Sequence, residues 1–209
     1  MEEEFEHVVY SKNVLEFVTV GKEYCQLIQQ LHDISKKEFV GILVKILPLL
    51  YLKANTLPKV ENHINDPLEK AVFEDEYEML HQALLSKFGR HDDYLEVFTP
   101  DIQRSEGALA ASISEDLTDI YQDLADFLYS FKMGITEVMN EALFEVITNF
   151  QLYWGQKLVN TLRACHNIYY GEDNIEDEED QEETNDPNDE KNNEFFNRFQ
   201  QQWSDDDDV

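Results

Sequence analysis

A chain of 209 residues with 42% hydrophobic side chains has room for one sizeable core and is too apolar to be disordered throughout. Seven glycines and five prolines are too few for the turn density of an all-β sandwich, so helices are favoured. The formal net charge of −29 divides unevenly: residues 1–171 hold 28 acidic and 14 basic side chains, residues 172–209 hold 17 and 2. Both parts repel a phosphate backbone, which disfavours direct binding to nucleic acid or an anionic membrane surface and favours a basic protein partner.

The first helix is expected from Ser11, because Val14, Phe17, Val18, Gly21, Tyr24, Cys25, Ile28 and Leu31 recur at spacings of three and four. Ser35 and Glu38 form a capping box that restarts the pattern, with Phe39, Val40, Leu43, Ile46, Leu47, Leu50 and Tyr51 inward and a kink expected at Pro48. Residues 55–67 read as a loop, after which Asp66 is placed to cap a short helix opening at Pro67. A helix over about 75–88 buries Tyr77, Leu80, Leu84 and Phe88 and stops at Gly89. Tyr94, Leu95, Val97 and Phe98 suggest one helical turn, and no strand pattern of useful length occurs.

Ser112 and Glu115 form a second capping box, opening a helix with Leu117, Ile120, Tyr121, Leu124, Phe127, Leu128 and Phe131 on one face and Gly134 as its stop. The last helix, about 136–170, would be about 50 Å long at 1.5 Å per residue, with Gly155 the place to bend. These elements imply an all-α fold, a largely antiparallel bundle of about five main helices over residues 1–171. From Glu172 the composition turns to Asp, Glu, Asn and Gln, with Ile175 the one large apolar side chain before Phe195. Residues 172–209 therefore read as a disordered acidic tail, carrying a short aromatic peptide at 194–203.

Five strings carry a resemblance: Tyr10-Ser-Lys-Asn-Val-Leu-Glu-Phe-Val18, Leu47-Pro-Leu-Leu-Tyr-Leu-Lys-Ala54, His91-Asp-Asp-Tyr-Leu-Glu-Val-Phe98, Ser112-Ile-Ser-Glu-Asp-Leu-Thr-Asp-Ile-Tyr-Gln-Asp-Leu124 and Tyr153-Trp-Gly-Gln-Lys-Leu-Val-Asn160. With them the chain resembles, over residues 10–170, a bacterial family of about 200 residues known as a domain of unknown function. The resemblance implies a compact bacterial cytoplasmic domain and assigns no activity and no site residues.

Asp116, Asp119, Asp123 and Asp126 step by three, four and three, so their carboxylates line one helical stripe. Like charges at such spacings repel by a few tenths of a kcal/mol per pair. The row is either a solvated face or an ion or charge site, with Arg163 and Lys132 as internal counter-charges and a metal ion as the external one. Glu78 and His81 have the spacing of a di-iron ligand pair, but no second copy exists and Arg163 stands where His166 would need a glutamate. His91, Asp92 and Asp93 could hold a base, yet no nucleophile or phosphate loop accompanies them; a helix-capping role for the Asp residues fits better. Cys25 and Cys165 read as small buried side chains. No cofactor or structural-metal motif is present in the sequence, and no catalytic residues are assigned.

The aromatic peptide is the sharpest functional signal. Phe196, Phe199 and Trp203 fall at i, i+3 and i+7, with Phe195 beside them, the spacing by which a short helix enters a hydrophobic groove. Acidic flanks steer it to a basic rim. The leading expectation is thus a non-catalytic adaptor; an acidic mimic of nucleic acid is the alternative, and a metal- or ligand-binding bundle the third. The acidic start at Glu2, Glu3 and Glu4 is unlike a signal peptide, and Phe39–Leu52 is too short and too broken to span a bilayer, so the chain reads as cytoplasmic.

Overall fold

The computed structural model describes residues 7–62, 67–96 and 109–171, and they form an all-α bundle with one small hairpin. Its elements are α1 (Lys12–Gln29), α2 (Lys36–Asn55), α3 (Glu74–Phe88), β1 (Asp93–Glu96), β2 (Leu109–Ser112), α4 (Ile113–Lys132), α5 (Thr136–Asn149) and α6 (Gly155–Tyr170). Helix α4 is the hub: it packs against α1, α3, α5 and α6, while α2 lies across α1 and α6. Among the described residues no helix is long and apolar enough to cross a membrane.

The apolar stripes read from the sequence form the core. Val14, Phe17, Tyr24 and Ile28 of α1, Phe39, Leu43, Leu47 and Leu50 of α2, and Leu117, Ile120 and Leu124 of α4 are all buried. Each such side chain removed from water contributes roughly 1.5–3 kcal/mol before the cost of ordering it. Both capping boxes act at least in part: Ser35 Oγ accepts from the Glu38 N–H at 3.2 Å, and Ser112 Oγ from the Glu115 N–H at 3.3 Å. Gly89 and Gly134 take positive φ, 54° and 69°, which L side chains rarely adopt, and they stop α3 and α4.

Three local expectations are corrected. Residues 93–96 are a strand, not a helical turn, paired antiparallel from Asp93 with Ser112 to Glu96 with Leu109; Val97 and Phe98 lie outside the described residues. No helix opens at Pro67, because the Ala71 and Val72 amides donate to the Asp126 carboxylate at 2.7 and 3.2 Å and are held in irregular backbone; Asp66 itself is outside the described residues. Helix α2 is one helix across Pro48, as the apolar pattern on both sides of it required, and Pro48 faces solvent. Tyr51 also faces outward, its ring edge-on to Phe150 at 5.2 Å.

Residues 136–170 are one continuous rod interrupted by a turn of π-helix at Phe150–Trp154. The disturbance sits beside Gly155, where the sequence suggested a bend. The Gly155 N–H reaches back five residues to the Phe150 carbonyl. A Cβ on residue 155 would strike that carbonyl oxygen and come within 2.9 Å of the Phe150 ring, so the π turn requires glycine there. The indole N–H of buried Trp154 donates to the Val146 carbonyl at 3.2 Å and closes the turn on its core side.

Candidate functional site

The four aspartates of α4 fall into two differently constructed pairs. Asp116 and Asp119 are only 4% and 7% exposed. Burial of two carboxylates demands a counter-charge and hydrogen bonds, and α6 supplies the charge. Lys157 Nζ lies 2.9 Å from Asp116 and 2.7 Å from Asp119. Thr161 Oγ1 donates to Asp116 at 3.1 Å, and the Tyr94 hydroxyl of β1 also donates to it. Asp119 accepts from the Tyr77 hydroxyl of α3 at 2.7 Å and from the Tyr153 hydroxyl of the π turn at 2.6 Å.

The cluster therefore ties α3, β1, α4, the π turn and α6 together through one ammonium and three phenols. Burial alone would lower the Lys157 pKa, but hydrogen bonds to Asp119 and Asp116 outweigh it and hold the ammonium above the ordinary lysine range. Burial, with the Asp119 carboxylate behind it, pushes the Tyr153 phenol up to about 12 and raises Tyr77 as well, and burial with the Asp116 carboxylate raises Tyr94. None of these phenols is prepared to lose a proton near neutrality.

The second pair is built without such an ammonium clamp. Asp123 accepts from the Asn149 side-chain amide of α5 at 2.5 Å. Burial pushes its carboxyl up to about 6, against the Asn149 hydrogen bond and the Lys70 charge, which pull the other way. Asp126 takes the two backbone amides of residues 71 and 72, with Lys70 Nζ at 3.3 Å. Lys70 also reaches Glu145 of α5 at 3.6 Å. The cavity among Lys70, Asp123, Asp126, Glu145 and Asn149 has a volume of about 10 Å³, the room of a single water, which excludes an organic ligand.

The row is thus neither a wholly solvated face nor an open ion site. Its counter-charges are Lys157 and Lys70 instead of Arg163 and Lys132, and among the described residues no three His, Cys, Asp or Glu side chains converge to hold a metal ion. Sequence reasoning missed Lys157 and the three tyrosines, because they come from four elements up to 80 residues apart in the chain. A signal did exist: a lysine inside the amphipathic α6 stripe, three residues before Asn160 and one before buried Leu158.

Other singled-out residues have structural occupations. Asp92 is buried and accepts from the Ser112 hydroxyl at 2.6 Å, the Ser114 N–H at 2.7 Å and the Ser114 hydroxyl at 2.9 Å, so it caps α4. His81 lies against Tyr77 on the half-buried side of α3, while Glu78 is exposed and accepts from Gln82. His166 lies against the Tyr170 ring at the surface, tilted by 48°. Cys25 and Cys165 are buried free thiols; burial raises both pKa values, Cys165 to about 12, which keeps them protonated and poor nucleophiles. Phe195, Phe196, Phe199 and Trp203 lie outside the described residues.

No curated protein matches the chain. The crystal structure of protein BF1032 from Bacteroides fragilis is similar, with 42% identity and a TM-score of 0.71 over 80% of this chain and 98% of that one. Residues 8–171, which hold both aspartate pairs, match a single family, and the chain belongs to it: Domain of unknown function (DUF5063).

Proposed function

We propose that this protein is a non-catalytic adaptor of the bacterial cytoplasm, in which a helical body is joined to an acidic tether bearing the peptide Phe195, Phe196, Phe199 and Trp203. The observation that carries the reading is the aromatic triad at i, i+3 and i+7 between acidic flanks, the pattern of an anchor that enters a partner's basic-rimmed hydrophobic groove. The body supports it from the other side. Lys157, Asp116, Asp119 and the three tyrosines neutralise and hydrogen-bond one another, and so act as a brace. On the outside, Leu49 and Leu52 of α2 and Leu152 of the π turn, the last 80% exposed, offer apolar contact for a second point of attachment. The mimic of nucleic acid keeps the net charge as its support but not the aspartate row, since Asp116 and Asp119 are covered.

The test is affinity capture from the native cytoplasm with the intact chain and with Phe196→Ala/Phe199→Ala/Trp203→Ala, followed by titration of the identified partner. Truncating a single buried aromatic anchor commonly costs 2 kcal/mol or more, about thirtyfold in affinity, so the triple variant should bind well over about thirtyfold more weakly with an unchanged melting temperature. Equal capture by both, with a less stable triple variant, would turn the peptide into a structural helix of this chain. Loss of the partner to added DNA, with the triad irrelevant, would instead favour the mimic.

A further inference from the structure

A groove of about 330 Å³ runs between the N-terminal half of α2 and the C-terminal end of α6. Gly41, Ile42 and Tyr169 line it from α2 and α6, and exposed Lys37 and Lys45 line it too. Gly41 lets the Tyr169 ring lie directly against α2: a Cβ there would come within 2.8 Å of that ring. Lys87 donates to the Ile34 carbonyl next to the groove's Ser35 and adds a further cation nearby. The N-terminal end of α2 adds the positive end of its dipole. This corner is therefore basic on a body whose net charge is −14, with Glu38 as the carboxylate on its lining.

The same corner is where the chain departs. Tyr169 lines the groove, and two residues later Gly171 has extended backbone (φ −71°, ψ 177°), its N–H held by the Asn167 carbonyl. The next nine residues, Glu172 to Asp180, include seven carboxylates and one large apolar side chain, Ile175. Four extended residues from Gly171 span at most about 14 Å, enough to return to a groove whose wall is two residues behind.

We propose that Glu172–Asp180 dock in cis along this groove, with Ile175 against Ile42 and Tyr169 and the flanking carboxylates on Lys37 and Lys45. The tether supplies an effective concentration in the millimolar range, so one apolar contact and two screened ion pairs suffice to populate the closed form. Docking shortens the free tether in front of the aromatic peptide, and a basic partner that attracts the carboxylates releases it. The proposal does not depend on the adaptor reading, because it concerns residues 172–180 and leaves residues 195–203 unassigned.

Paramagnetic broadening in the full-length chain decides the matter. A nitroxide is placed on Glu178→Cys, the native Cys25 and Cys165 being buried. At low salt the amides of residues 37–45 and 169 should broaden, and the broadening should vanish in 0.5 M salt, where the screening length is only about 4 Å. Ile175→Asp should lower the closed-to-open ratio roughly tenfold, and Lys37→Glu/Lys45→Glu should abolish closure with no change in the body's other resonances. Three results overturn the proposal: no broadening at low salt; broadening of the same amides from Phe199→Cys instead, which makes the aromatic peptide the occupant; or broadening of isotope-labelled chains by spin-labelled unlabelled ones, which makes it a second copy.

Discussion

Asp116 and Asp123 stand two turns apart on one stripe of one helix, and chemically they are the same residue. Asp116 and its neighbour Asp119 are enclosed, yet they share an ammonium and five hydrogen bonds from four other elements, Lys157 included. Asp123 has a neutral amide for its nearest partner, and burial leaves it with a carboxyl raised to about 6. Burial alone therefore does not decide whether a carboxylate stabilises this fold. The decision falls to what α5 and α6 present to it, and the π turn lies on the boundary between the two arrangements. Upstream of it, Asn149 serves Asp123; within and beyond it, Tyr153, Lys157 and Thr161 serve Asp119 and Asp116.

Removing the shared cation breaks this comparison most severely. Lys157→Met leaves two covered aspartates without their counter-charge, and breaking a buried pair on one side costs about 3 kcal/mol or more. Urea denaturation of the full-length variant at neutral pH should show that loss. Adding Asp116→Asn and Asp119→Asn should recover most of it, because the three phenols then meet neutral acceptors. A loss under about 1 kcal/mol for Lys157→Met would mean that solvent already screens the cluster.

Gly155→Ala tests the boundary itself. The new Cβ meets the Phe150 carbonyl and ring, and overpacking of this kind costs roughly 1–3 kcal/mol. If relief comes from converting the π turn to regular helix, every side chain after it rotates by about 100°, which disengages Tyr153 and Lys157 but not Asn149. The melting temperature should fall, and the side-chain amide resonance of Asn149 should stay in place. By contrast Gly21→Ala should be mild, since its Cβ would meet only Leu124 and Leu128 at 3.8–3.9 Å.

What was legible in the sequence was what is encoded locally. Val14, Phe17, Leu117 and Leu124 advertise their helices by spacing, and Ser35 and Ser112 advertise the starts through residues three positions on. The hairpin was illegible because Asp93–Glu96 is short and its partner begins at Leu109, so the pairing that makes it a strand is non-local. The aspartate row was visible, but its burial was not: pattern reading ranks a carboxylate as polar, and only the fold brings Lys157 to Asp116 across 41 residues of chain. The irregular run before α3 was misread for the same reason, since the carboxylate that holds it belongs to α4.

Asp123→Asn should act in the opposite direction to Lys157→Met and stabilise the protein at pH 8. A carboxyl whose folded pKa is about 6, against an ordinary 3.8, contributes stability that is fully present below about 3.8 and is lost as pH rises through 6. At pH 8 the folded state carries the whole penalty of the buried charge. The amide variant removes it while leaving a side chain that can still meet Asn149, for a gain of about 1–2 kcal/mol after allowance for partial solvent contact. The gain should shrink steadily below pH 6 and be absent near pH 4. A pH-independent difference between the two proteins would show that Asp123 does not titrate in this range.

The smallest effect on stability, and the finest test, belongs to Lys70. Its side chain is 52% exposed, and its contacts to Asp126 and Glu145 at 3.3 and 3.6 Å are those of a surface pair, worth under about 1 kcal/mol and weakened by salt. Asp126 also keeps the two backbone amides of residues 71 and 72 when the lysine is gone, so Lys70→Met strands no buried charge there. Asp123 is affected differently. The Lys70 charge is one of the two influences that hold its carboxyl down against burial and against Asp126 and Asp119. Without it the Asp123 titration should move above 6, and carbon-detected NMR of the carboxyl can follow the midpoint directly. An upward shift with little change in denaturation midpoint at pH 5 would establish that the second pair is tuned by a solvent-exposed cation, where the first is clamped by a covered one. An unmoved midpoint would mean that Asn149 alone governs Asp123.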